Sequence, residues 1–302
     1  MNPDLDTLVT SLYVTIDDLL AENRWWTPKR PTVGIAPKLS DAELITLAVI
    51  QALLRYTSEA RFIRHAQAHL KPWFPYLPNR SGYNKRLRAS STMMSHVMRH
   101  LARSTRSWHD DLWLVDSTPV ECGRSRQTVQ RSDLAGWAEY GYSASHSRYF
   151  WGLRLHLITT PSGLPITWAV AGATADERST ALEMIHHARV ARQGQTIIAD
   201  KGYRSQAFEK ALNQAGMTLI RPATRTEQPR PGNRFLKPFR QIIESVNNTL
   251  KTHLHLEQHR GRTKPGVIAR ILQRLLALTT VIWHNETTNR PGPARSLIPY
   301  DH

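Results

Sequence analysis

The sequence predicts a mixed α/β sheet flanked by helices and preceded by an all-helical N-terminal domain. Three observations carry that prediction. Through the first hundred residues apolar side chains recur at helical spacing, as in Leu5, Leu8, Leu12, Ile16 and Leu19. From Asp111 the pattern turns strand-like, and the four consecutive apolar residues 112–115 suit a strand buried on both faces. After two more strand patterns, helical segments alternate with short apolar runs, which is how a sheet with helices on its faces reads.

In the helical region, Ser40 and Glu43 form a capping box that opens a helix holding Leu44, Leu47, Ile50 and Leu54. Two further helices are expected over 60–70 and 91–108, the second with Met94, Val97, Met98 and Leu101 as its buried stripe. The stretch 74–81 between them reads as a turn with aromatic anchors. Lys85, Arg86 and Arg88 follow, then Arg99, Arg103 and Arg106. A solvated basic face and a DNA-binding surface both fit this pattern. The chain carries 40 Lys and Arg against 24 Asp and Glu, a net charge of +16 over 302 residues. That excess favours a polyanionic partner and a DNA-binding domain over 1–108, with Lys85, Arg86 and Arg88 as candidate phosphate contacts.

Composition excludes several classes. A single cysteine, Cys122, leaves no disulfide framework and no cysteine-based zinc site. Residues 1–20 carry Asp4, Asp6, Asp17 and Asp18 and no basic residue, which is not a signal peptide. The apolar run 271–283 is interrupted by Gln273 and Arg274 and is short for a bilayer. These features point to a reduced, cytosolic compartment and no membrane partner.

The apolar strand 112–115 leads into Asp116, and Pro119 is expected to stop its pairing because it has no N–H to give. A carboxylate there either caps the following turn or faces the place where α/β sheets open to ligand. Residues 120–148 read as an irregular polar loop with Arg124, Arg126, Arg131, His146 and Arg148. Strands over 149–160 and 164–173 form a hairpin beside the first, and a helix covers 177–192 with Asp176 as its N-cap. The run 196–199 is a second short strand and ends in Asp200. Residues 201–203 turn into a helix over 205–215, and 217–220 is a last strand. In this scheme Asp116 and Asp200 end neighbouring strands, where two carboxylates repel unless a cation lies between them. Oxygen ligands without thiolate point to Mg²⁺ or Mn²⁺. His255 and His259 lack the His-Glu-x-x-His pattern of a zinc protease. Ser81, Ser117 and Gly202 match no nucleophile elbow or phosphate loop.

The helix expected over 239–255 has a buried stripe of Ile243, Val246, Leu250 and Leu254. Its polar stripe is Arg240, Glu244, Asn247 or Asn248, and Lys251. Glu244 between two cations is either a surface ion pair or a third carboxylate leaning over the strand ends. In the second case Arg240 and Lys251 flank the site and hold phosphates.

The order Asp116, Asp200, Glu244 resembles the DDE triad of insertion-sequence transposases, whose fold is RNase H-like, as in retroviral integrases. Arg240, Glu244 and Lys251 are similar to the Arg, Glu and Lys of their Tyr-Arg-Glu-Lys signature. Residues 200–203, Asp-Lys-Gly-Tyr, and 149–156, Tyr-Phe-Trp-Gly-Leu-Arg-Leu-His, match two more of their motifs, with Arg154 for Lys. One position departs: Lys237 stands where the signature Tyr is expected. The resemblance covers about residues 40–285 and implies a catalytic domain over 109–285 with a tail at 286–302. No large inserted domain fits between Asp200 and Glu244. It implies two Mg²⁺ or Mn²⁺ ions, Asp116 bridging both, Asp200 holding one and Glu244 the other. It implies water-driven cutting at the element's ends, followed by attack of the freed 3′-hydroxyl on target DNA. Its DNA contacts would be Arg240, Lys251, Lys237, Lys201 and Arg154. The partners would be double-stranded DNA, as terminal inverted repeats and target, and a second copy of the chain, in the bacterial cytosol or nucleoid. A metal-dependent nuclease that cuts without joining, and a DNA-binding relic without catalysis, remain the competing readings.

Overall fold

The computed structural model describes residues 3–29, 36–143, 147–225, 227, 228, 230, 232 and 236–300. His146 lies outside the described residues. The chain forms two compact units: residues 1–104 with 250–302, and residues 105–249.

The first unit is helical. Its N-terminal helices are α1 (Pro3–Glu22), α2 (Asp41–Leu53), α3 (Glu59–His69), α4 (Arg80–Ala89) and α5 (Ser91–Arg103). The Ser40–Glu43 capping box forms as expected, with Ser40 Oγ accepting from the Glu43 N–H. Helix α4 occupies residues that the sequence presents as the end of a turn and a basic run. It forms because Asn79 caps it, accepting from the Gly82 N–H, while only Tyr83 and Leu87 are buried, too few to show a helical period.

A long C-terminal helix, Lys264–Thr287, completes this unit by packing chiefly on α5 and α2; in chain order it is α10. Apolar residues cover nearly every face, from Val267 through Ile271, Leu275, Leu278 and Ile282, so it must be surrounded. At 24 residues it is long enough for a bilayer, but 89% of its most apolar window is buried by the rest of the chain. The expected boundary at 285 is therefore displaced. The last long helix joins the N-terminal helices instead of the sheet.

The second unit holds a six-stranded mixed sheet, in the order β2-β3-β1-β5-β6, with β4 paired to β3. Strand β1 spans Leu112–Gly123 and is followed by a short helix, α6 (Arg126–Arg131), β2 (Glu139–Ser143), β3 (Arg148–Thr159) and β4 (Pro165–Gly172). Then come α7 (Glu177–Ala188), β5 (Thr196–Ile198), α8 (Gln206–Gln214), β6 (Thr218–Ile220) and α9 (Leu236–Asn248).

Two strand expectations are corrected. Pro119 does not end β1, which pairs antiparallel with β3 through Gly123, Pro119 lying opposite Arg154. The proline is tolerated because β5 pairs only with Leu112, Trp113 and Leu114, so Pro119 interrupts no ladder on that side. Nor is 120–148 wholly irregular, since it holds the end of β1, α6 and β2. Strand β2 is an edge strand with Tyr140 and Tyr142 exposed, and so lacks the apolar alternation that reveals a half-buried strand. It pairs with the first residues of β3, from Arg148 to Gly152, and β4 takes over the same edge from Leu153 to Thr159. Gly152 is needed where β1 crosses closely, because a Cβ there would stand 2.2 Å from the Val120 carbonyl oxygen.

Candidate active site

The two aspartates are brought level by the sheet. Strands β1 and β5 run parallel, with Leu112 opposite Thr196, Trp113 opposite Ile197 and Leu114 opposite Ile198. Asp116 follows the last paired residue of β1 by two positions and Asp200 follows that of β5 by two, and the charge of Asp200 is felt at Asp116. Asp116 lies within β1, where the partner strand has ended. Asp200 begins the turn after β5, and its carboxylate accepts from the Lys201 N–H at 2.6 Å. Asp200 and Lys201 are both exposed.

Side chains of a strand alternate between faces, so Asp116 and Ser117 point to opposite sides of the sheet. On the Asp116 side lies α9. Its Phe239, Ile242 and Ile243 pack on Leu114 and Ile198, which fixes the helix over the ends of β1 and β5. Asn247 then donates to the Asp116 carboxylate at 2.7 Å. On the Ser117 side lies α7, capped as expected by Asp176, which accepts from the Arg178 and Ser179 N–H groups. The first residue of that helix, Glu177, accepts from the Ser117 hydroxyl and from Arg154 at 3.3 Å.

Burial pushes the Asp116 carboxyl up to about 6, helped by the charges of Glu177 and Asp200. The Ser117 N–H and the Asn247 amide pull the other way. Tyr203 is 1% exposed, and its hydroxyl has no partner among the described residues; burial and the carboxylates of Glu177, Asp116 and Asp200 raise it well above the usual phenol range. His156 sits opposite Ser117 on β3, wholly buried and without a described hydrogen-bond partner. Burial lowers it to about 4, so it is a neutral core residue.

Glu244 stands one turn before Asn247 on α9. It is exposed and no described residue pairs with it. Among the described residues no three His, Cys, Asp or Glu side chains are gathered closely enough to hold a metal ion. The chemistry of the donor set nonetheless fits a hard dication. Asp116 and Asp200 are oxygen donors, and a cation would relieve the cost of ionising the desolvated Asp116 carboxyl in the field of Glu177 and Asp200.

The candidate cations differ in what engages them. Arg240, Lys237 and Lys201 are exposed on the second unit, and none has a side-chain partner among the described residues. Arg154 is instead engaged by the protein: its guanidinium donates to Ser117 Oγ at 3.0 Å, to the carbonyls of Tyr142 and Ala173, and to Glu177. Lys85 and Arg88 are exposed on α4, whereas Arg86 holds the start of α2 through Leu39 O and Asp41. Regular helix ends at Asn248, and Lys251 falls in a π turn, Thr249–His253, where it pairs with Glu257 at 3.5 Å. His255, expected on a helix face, instead adopts a left-handed backbone at φ 51°.

The family model described as Transposase DDE domain matches residues 106–264. The chain belongs to that family. No curated protein matches it. For a transposase DDE domain the RNase H-like sheet is the expected frame, and β1, β3, β4 and β5 supply it here. The sequence marks Glu177 only as a helix start, Ser117 only as a serine outside any nucleophile motif and Tyr203 only as the end of the Asp-Lys-Gly-Tyr motif. The one signal available was an acidic pair, Asp176-Glu177, at a helix entrance. Helix capping accounts for Asp176 but leaves Glu177 over.

Proposed function

We propose that this chain is a DNA transposase that cuts the ends of an insertion sequence and joins them to target DNA in a divalent-metal-dependent reaction. The observation carrying the proposal is the parallel pairing of β1 with β5, the two strands that lead into Asp116 and Asp200, in a chain of the transposase DDE family. Asp116 and Asp200 would hold the ions, with Glu244 on α9 as the third carboxylate. When bound, two Mg²⁺ or Mn²⁺ ions would activate the attacking oxygen and stabilise the leaving one at phosphorus. Asn247 keeps the Asp116 carboxylate oriented between the helix and the strand ends. Arg240, Lys237 and Lys201 carry no described side-chain partner and are the cations offered to DNA phosphates beside the site. Lys85 and Arg88 on α4 extend the basic surface of the helical unit, the proposed DNA-recognition unit, with Arg86 and Lys251 in supporting roles. The substrate is double-stranded DNA bearing terminal inverted repeats, handled by a pair of transposase chains in the cytosol.

The test uses a duplex that carries the DNA flanking the reading frame. In Mg²⁺ or Mn²⁺ the wild-type chain should nick it, and on pre-cut ends it should join them to a second duplex. Asp116→Asn, Asp200→Asn and Glu244→Gln should each lose at least about 100-fold in cutting while still shifting the duplex in a gel. A variant that cuts at the wild-type rate removes its residue from the metal site. Cutting without joining favours a plain nuclease.

A further inference from the structure

Glu177 has no place in a three-carboxylate site, yet the fold aims it there. Asp116 and Ser117 are consecutive on β1 and face opposite sides of the sheet. Helix α9 covers one side and the N-terminal end of α7 the other. From α7, Glu177 anchors one carboxylate oxygen, Oε1, on the Ser117 hydroxyl and on Arg154. Its other oxygen, Oε2, accepts from no described residue and points toward the turn after β5. A Cβ placed on Gly202 would stand 3.8 Å from it. The Glu177 carboxylate thus lies between the residue after Asp116 and the turn that begins with Asp200.

A second observation is independent of the acids. Tyr203 closes the same turn through its backbone N–H, which donates to the Asp200 carbonyl at 3.0 Å; the residue is 1% exposed and its hydroxyl has no described partner. It lies within electrostatic reach of Glu177, Asp116 and Asp200 together. A buried hydroxyl without a partner normally costs about 1–3 kcal/mol. A water held by a cation at this spot would give it one. Arg154 supports the same arrangement: with donors fixed on the strand ends and on Glu177, it sets the orientation of the carboxylate and leaves Oε2 open.

We infer that Glu177 is a fourth carboxylate of the metal site, reaching it from the sheet face opposite α9, with Ser117 and Arg154 holding one oxygen so that the other meets the cation. This rests on the reading that Asp116 and Asp200 bind a divalent ion. Glu177 touches the ion directly or through a bound water, and Arg154 and Ser117 are positioning residues that act through it.

The test is binding of Mn²⁺ alone to the full chain without DNA, followed by calorimetry. Glu177→Gln should weaken affinity by about 10–100-fold. Glu183→Gln, exposed on the same helix, should leave it unchanged. If Asp116→Asn weakens binding but Glu177→Gln binds as wild type, Glu177 is only a partner of Arg154, and the inference fails while the transposase reading stands. If Asp116→Asn also binds as wild type, the metal reading fails with it. A second measurement needs no variant. Wild-type chain loaded with Fe²⁺ and treated with ascorbate and peroxide should be cut in its backbone around 116–118, 176–178 and 200–203. Cuts at the first and last segments with none near 177 would overturn the inference.

Discussion

Asp116 stores a pH dependence that belongs to one carboxyl. In the unfolded chain it would titrate near 3.8; in the folded unit burial moves it to about 6. The folded state therefore holds this proton more tightly. Its contribution to stability is complete below about pH 4 and is lost as pH rises through about 6. Asp116→Asn, which cannot ionise, should raise the melting temperature of the metal-free chain at pH 7 and change it little at pH 4. Each kcal/mol recovered is worth about 2–4 °C at this size. Equal melting temperatures at pH 7 would show that Asp116 ionises at no cost. Asn247→Ala removes a side chain that stabilises the carboxylate and should move its titration higher still, as read by the chemical shift of a labelled Asp116. At this scale the two aspartates were legible in sequence because each follows an apolar strand. The partner of Asp116 was half-legible, since Asn247 was visible on a polar stripe beside Glu244, but which of the two faces the strand end depends on how α9 rolls on Leu114 and Ile198. The placement of Glu177 was not legible, because it depends on a contact with Ser117, 60 residues away in sequence.

Among the elements, the strands around the site and α7, α8 and α9 were readable from period and punctuation. Helix α4 and strand β2 were not, since neither buries enough apolar residues to impose a pattern. Helix α10 hides a different feature, two arginines inside an apolar helix. Arg270 and Arg274 are buried, and burial lowers them to about 10 and about 9. Arg270 is held by Glu59, Gln273 and Gln51, and Arg274 by the carbonyls of His255 and Arg270. Glu59 also accepts from Asn84 at 2.7 Å, so a single carboxylate ties α3, α4 and α10. Breaking a buried pair leaves a charge uncompensated, at a cost of about 3–5 kcal/mol. Glu59→Ala should lose that much in urea unfolding of the helical unit. Arg124→Ala, removing a cation that is 79% exposed in its pair with Glu121, should cost under about 1 kcal/mol. Similar losses for both would mean that Arg270 finds other compensation.

For the whole molecule, the consequence of α10 concerns where the chain can be cut. Sequence alone suggests an N-terminal domain ending near residue 108, because the apolar run of α10 carries no mark of its partner. In the folded chain the helical unit is discontinuous, built from residues 1–104 and 250–302 with the sheet unit as a long excursion between them. Helix α5 packs chiefly against α10, and α2 divides its packing between α1 and α10, so a fragment ending at Arg106 would bare buried apolar side chains of both helices. Burying one such side chain is worth about 1.5–3 kcal/mol, and a domain's whole stability is about 5–15 kcal/mol, so the loss of several exceeds what the fragment has. Residues 1–106 alone should show helical circular dichroism without a cooperative melt and should bind a hydrophobic dye. Co-expression with residues 250–302 should restore a cooperative transition. A fragment 1–106 that melts cooperatively by itself would show that α10 is dispensable to the core. DNA binding by the basic helices is for the same reason best measured on the full chain, where affinity should fall steeply with salt if Lys85, Arg88 and their neighbours meet phosphates.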